Sequence, residues 1–249
     1  MSGHSKWATI KRKKAATDAA RGKLFTKYIK EITIAARAGG GDPEANPRLR
    51  TAIQAAKAVN MPASNIERAI QRGAGGLEGA SYEEVQYEGY GPAGVAVLVE
   101  CATDNRNRAA GEIRHVFDKH NGHLGAAGSV AYLFRARGVL LVDRAAIEED
   151  ALLELVLDAG ADDVIVTPAG YEVLTPPVAF EAVKRALAAR PVPVAHAELT
   201  KLASQQVPVD ERAGEALLRL VDALEDSDDV QKVYTNAELP DELLARLAH

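Results

Sequence analysis

The chain has 249 residues, 47% of them hydrophobic, enough to build real cores and to exclude disorder throughout. Its one cysteine, Cys101, excludes an intramolecular disulfide, a CxxC redox motif and a Cys-based zinc site; no 18-residue apolar run or signal-type start points to membrane insertion or export, so a soluble cytoplasmic protein is expected. The net charge of −5 hides a polarity, since residues 1–75 hold 15 Lys+Arg against 5 Asp+Glu (+10) and the rest hold 15 against 30 (−15).

Clustered cations on an otherwise acidic chain point to a polyanionic partner, because Lys and Arg displace counterions condensed on phosphates. The first fifteen or so residues show no amphipathic period and read as an arm. It carries His4, Lys6, Trp7, Lys11, Arg12, Lys13 and Lys14. The cations suit phosphates, and the indole offers a flat face for an unpaired base.

From Asp18 a helix is expected. At about 100° per residue, Leu24, Phe25, Tyr28, Ile29, Ile32 and Ala36 share one side, and Lys23, Lys27, Lys30 and Arg37 form a cationic stripe opposite. Ile34 interrupts that stripe, which marks either a helix–helix contact or a flaw in the pattern. Gly39-Gly40-Gly41 ends the helix. Asn46-Pro47, a cap followed by a first-turn proline, opens a second helix to about Val59. Arg50, Gln54 and Lys57 share one of its faces. Pro62 opens a third helix, which carries Arg68 and Arg72 and stops at Gly73, Gly75 and Gly76.

Beyond this linker the pattern changes. Strands are expected at 82–90 and 93–102, a helix at 105–120 capped by Thr103-Asp104, and a strand near 129–134. Segments 139–142, 147–158, 163–167, 171–174, 177–189 and 194–202 then spell β-α-β-β-α-β, the ferredoxin-like order. A helix at 211–224, a strand at 230–235 and a short helix at 240–247 follow. The expected fold is therefore α+β: an N-terminal three-helix domain followed by two α/β domains, one ferredoxin-like and inserted into the other. The expected boundaries are 1–76 for the arm and helical domain, 77–135 with 205–249 for the discontinuous domain, and 136–204 for the insert.

No enzyme emerges from the residues. The glycine clusters at 39–41, 73–76 and 122–128 lack the lysine of a P-loop and the strand-first context of a dinucleotide fingerprint. His115, His120 and His123 have no helical spacing that puts them on one face, so no metal site is expected. Cys101 sits in an apolar strand context and reads as packed. No cofactor is expected.

Several blocks resemble the YebC/PmpR family: Gly3-His4-Ser5-Lys6-Trp7, Gly22-Lys23-Leu24-Phe25-Thr26-Lys27, Gly39-Gly40-Gly41-Asp42-Pro43, Asn46-Pro47-Arg48-Leu49-Arg50, Asn60-Met61-Pro62, Tyr87-Glu88-Gly89-Tyr90-Gly91-Pro92 and Thr103-Asp104-Asn105-Arg106-Asn107-Arg108. The resemblance spans essentially the whole chain; Ala63-Ser64 departs from a Lys-Asp pair carried by many members. It implies a three-domain, non-enzymatic regulator of gene expression that binds DNA. Relatives that include a mitochondrial translational activator imply an alternative, in which the partner is ribosomal RNA on the ribosome and the protein aids synthesis of proline-rich stretches. The absence of a helix-turn-helix signature fits RNA, whereas the family's usual description fits DNA. The expected phosphate contacts are His4, Lys6, Trp7, Lys11, Arg12, Lys13, Lys14, Lys23, Lys27, Lys30, Arg37, Arg50 and Lys57.

Overall fold

The computed structural model describes residues 18–77, 81–167 and 170–248. The fold is α+β: helices first, then two four-stranded sheets. The described residues divide into two compact units, one holding those from Asp18 to Ala131 with Val209–Ala237, the other those of Tyr132–Pro208 with those from Glu238 to Ala248.

In the first unit, α1 (Asp18–Gly39), α2 (Pro47–Ala58) and α3 (Ala63–Gly73) pack around Ile32, Ala36, Leu49, Ile53, Ala56, Met61, Ile66 and Ala69. These positions recur at helical spacing, so each helix presents one apolar side to the others. Asn46 starts α2 and also joins the helices: its side-chain oxygen accepts the Leu49 N–H, and its amide donates to the Ala35 and Gly40 carbonyls. Ile34 is buried, so the interruption in the cationic stripe is a packed position.

The same unit contains an antiparallel sheet of order β3-β1-β2-β8, made of β1 (Glu83–Tyr90), β2 (Ala96–Thr103), β3 (His123–Leu124) and β8 (Val230–Thr235). β2 is paired on both sides, and seven of its eight residues are buried, which explains the near-continuous run Ala96-Val97-Leu98-Val99. α4 (Arg106–Lys119) and α7 (Glu211–Glu225) pack beside each other, α4 on β1 and β2 and α7 on β8. β8 reaches this sheet only after the chain has left at Ala131 and returned at Val209, so the ferredoxin-like segment is an insertion.

The second unit has strand order β5-β6-β4-β7, all antiparallel: β4 (Phe134–Val142), β5 (Asp163–Thr167), β6 (Gly170–Thr175) and β7 (Val194–Ala203). That is the ferredoxin-like order. Leu152 and Val156 of α5 (Glu149–Asp158), and Phe180, Val183 and Leu187 of α6 (Phe180–Ala189), close a core over Leu140, Val142, Tyr171 and Val173. The strand expected near 129–134 does not form. A 3-10 turn occupies Ala131–Leu133, and β4 begins at Phe134 and runs unbroken, because the ten-residue β7 pairs with it from Ala203 back to Val194. The terminal helix α8 (Asp241–Ala248) groups with this unit, whereas the sequence suggested that 205–249 belonged to the discontinuous domain.

Candidate nucleic-acid interface

The cationic stripe of α1 is a docking face. Lys30 lies across the turn that follows α7: its ammonium is 2.7 Å from Asp229 Oδ1 and donates to the Asp228 carbonyl at 2.8 Å and the Ala102 carbonyl at 3.1 Å. An ammonium has three protons, and these three acceptors match them. Lys23 pairs with Asp226 at 2.7 Å, and Lys27 donates to the Glu225 carbonyl at 2.9 Å. About one helix turn separates each lysine from the next, and all three meet acceptors within residues 225–229. Arg37, at the other end of α1, donates to Ser81 Oγ at 2.7 Å.

Asp229 is the centre of this contact. Besides Lys30, it accepts from Thr103 Oγ1 at 2.9 Å and Arg108 Nη2 at 2.8 Å. Burial alone would raise its pKa, but the hydrogen bonds from Lys30, Arg108 and Thr103 outweigh it and hold the carboxyl below its ordinary value. Lys30 is 6% exposed, so it leaves the set of phosphate ligands expected from the sequence: reaching a phosphate would require extracting a buried ammonium from three acceptors. Lys23, Lys27 and Arg37 are likewise turned onto intramolecular acceptors, at positions nearer the solvent.

Arg48 is engaged too. Its guanidinium joins Glu31 of α1 at 2.8 Å and Glu84 of β1 at 2.6 Å, fastening α2 to both. Arg68 bonds back to the Ser64 carbonyl and Asn65 of its own helix. The exposed row on α2 is different. Leu49, Ala52, Ile53 and Ala56 face the core, and Gln54 and Lys57 are exposed with Arg50 half-exposed on the same ridge. Arg50 meets Glu44 in the loop before α2, donating to its carbonyl at 3.4 Å and standing 3.9 Å from its carboxylate. His4, Lys6, Trp7, Lys11, Arg12, Lys13 and Lys14 lie outside the described residues.

Sequence reasoning placed Thr103-Asp104 as the cap of α4 and left its arginines exposed. Asn105 is the cap, accepting the Arg108 N–H, while Arg108 turns back to Asp104 and Asp229. Sequence reasoning also missed Asp229 as the hub. No local signal identifies it, because Asp226, Asp228 and Asp229 read only as acids before a strand. A second buried carboxylate, Glu88, was equally silent within Tyr87-Glu88-Gly89-Tyr90. Among the described residues no group of three His, Cys, Asp or Glu is placed to hold a metal, and no helix is long and apolar enough to cross a membrane. Cys101 is buried in β2, where desolvation pushes its thiol up to about 12.

Comparison with known proteins covers nearly the full length. The TACO1/YebC protein N-terminal domain matches residues 5–76, and the TACO1/YebC second and third domain matches residues 82–237. A probable transcriptional regulatory protein of Desulfosudis oleivorans is 57% identical over 241 residues, 97% of this chain and 98% of its own. One of Desulfotalea psychrophila, described in the same words, is 55% identical over 249 residues and 100% of both chains. A similar protein of Geobacter sulfurreducens is 54% identical over 247 residues, 99% of this chain and 100% of its own. The crystal structure of a conserved hypothetical protein from Aquifex aeolicus superposes with a TM-score of 0.80 at 50% identity, covering 91% of this chain and 94% of that one.

Proposed function

Because this chain belongs to the TACO1/YebC family, we propose that it is a nucleic-acid-binding regulator of transcription that works by binding rather than by catalysis. The descriptions of its relatives as probable transcriptional regulatory proteins support the regulatory role. The observation that carries the binding role is the ridge of α2 formed by half-exposed Arg50 with exposed Gln54 and Lys57, within a segment of charge +10 whose other helical cations largely face intramolecular acceptors. The phosphate grip is assigned to this ridge together with His4, Lys6, Trp7, Lys11, Arg12, Lys13 and Lys14. Phosphate contacts of this kind set affinity and orientation without reading sequence.

The test is fluorescence anisotropy of the full chain with labelled DNA duplex, single-stranded DNA and structured RNA across a salt series. The expected log–log salt slope is several units, about 0.7–0.9 for each phosphate neutralised. Replacing Lys11, Arg12, Lys13 and Lys14 by Glu is expected to abolish binding with the fold intact, and Arg50→Gln with Lys57→Gln to lower the slope by about 1.5. A slope near zero, or unchanged affinity in both variants, would remove the reading. Tighter binding to structured RNA than to DNA would instead favour a translational role.

A further inference from the structure

Glu88, on β1, is 7% exposed, and its carboxylate accepts three backbone N–H groups: Gly128 at 2.6 Å, Val130 at 2.7 Å and Ala131 at 2.7 Å. Its carbonyl also takes the Gly125 N–H at 2.7 Å, and the Tyr90 hydroxyl donates to the Ser129 carbonyl at 3.1 Å. These bonds strap residues 125–131 to one strand. Burying a carboxylate is costly unless its oxygens are satisfied, and here all the satisfaction comes from this one loop. Yet the loop's tip, Ala126-Ala127-Gly128, is exposed, and Gly128 has a positive φ of 84°. A charge buried to rigidify an exposed tip of small residues does little for a core. It does preorganise backbone for close approach by a ligand.

Beside the tip stands a flat ring. Tyr90 and His123 are cross-strand partners, stacked with centroids 5.2 Å apart and planes at 27°. Tyr90 is half-buried and His123 exposed, so the tyrosine backs the imidazole and leaves the histidine on the solvent side. Their closeness depends on Gly122, where a Cβ would lie 2.7 Å from the Tyr90 carbonyl oxygen. Lys119, exposed in the last turn of α4, adds a cation just before the loop.

We infer that this end of the sheet takes an unpaired nucleobase stacked on His123, with the strand's backbone passing the Ala126-Ala127-Gly128 tip. A base within a duplex has both faces covered, so the ligand class is single-stranded nucleic acid. A peptide side chain fits less well, since apolar anchors require a concave pocket and this surface offers an exposed ring beside glycine and alanine. The inference rests on the nucleic-acid reading above and adds to it a second contact, one that works through stacking rather than charge.

The test uses the full chain with 12-mers of single-stranded RNA and DNA that carry 2-aminopurine, read by anisotropy and by the quenching that accompanies stacking. His123→Ala is expected to weaken binding roughly 5- to 100-fold, as for loss of one base–aromatic stack, and to remove most of the quenching. His123→Phe should keep both, and duplex binding should be unchanged in either variant. Circular dichroism checks that both variants are folded. The RNA and DNA arms tell which strand is preferred, and competition by millimolar adenosine monophosphate would assign the platform to a free nucleotide and overturn the polymer. Equal affinity and quenching in the parent and His123→Ala overturns the inference. If the Lys11–Lys14 charge reversal still abolishes binding in that case, the parent reading stands alone; if the unmodified chain binds no oligonucleotide, both fall. Restoration of His123→Ala by an aromatic peptide rather than by a base would also overturn it.

Discussion

Lys30 and Asp229 stand 199 positions apart in the chain, yet their charged atoms are 2.7 Å from each other, with side chains 7% and 6% exposed. This pair fastens α1 to the turn between α7 and β8, so the helical segment and the discontinuous sheet share one compact unit. Removing one partner of a buried pair leaves the other charge uncompensated. Lys30→Met is therefore expected to cost about 3 kcal/mol of unfolding free energy in urea titration. Lys30→Met with Asp229→Asn should recover part of that loss, because the stranded charge is gone. A loss under about 1 kcal/mol in the single variant would place the pair among solvent-screened surface bridges.

The same chemistry sets the acid limit. Burial raises the pKa of both Asp229 and Glu88, but hydrogen bonds outweigh it, from Lys30, Arg108 and Thr103 at Asp229 and from the Gly128, Val130 and Ala131 amides at Glu88, so both lie below their unfolded values. A depressed carboxyl contributes stability that is fully present above its unfolded value and is lost as pH falls through its folded value. These two groups should therefore contribute no pH dependence between pH 7 and about 5, and a progressive loss below about 4. Chemical denaturation at successive pH values checks this, and Glu88→Gln should flatten part of the acid limb.

Asn46 tests the helical core. It caps α2 and donates to two carbonyls from a site 5% exposed. Asn46→Ala loses a cap and leaves the buried Ala35 carbonyl without this donor, which should cost about 2 kcal/mol. Asn46→Asp should keep the cap and lose both donations, falling between the two in thermal melts.

Cys101 should be inert in the native protein. With the thiol buried and pushed up to about 12, thiolate is scarce at pH 8 and out of reach of reagents. A disulfide-exchange reagent is expected to react with it only in denaturant, at a rate that tracks unfolding. Fast labelling of the native chain would show that β2 opens locally.

Apart from the run near 129–134, which became a 3-10 turn before β4, the sequence determined which long segments become helix or strand, since apolar spacing and caps are local properties. Leu49, Ile53 and Ala56 mark the α2 core, Asn46-Pro47 its start, and the β-α-β-β-α-β succession predicts the ferredoxin-like order that β5-β6-β4-β7 adopts. It likewise showed that cations gather in residues 1–75. Only the tertiary structure decided where those cations point. Lys23, Lys27 and Lys30 look alike on a helical projection, but the projection contains no acceptor, and residues 225–229 come beside α1 only when β8 pairs with β2. Glu88 likewise looks like a surface acid until the loop at 125–131 folds its amides around it. Periodicity is written into neighbouring residues, whereas the partner of a charge is set by chain closure across many residues, and burial decides whether that charge binds inward or remains for a ligand.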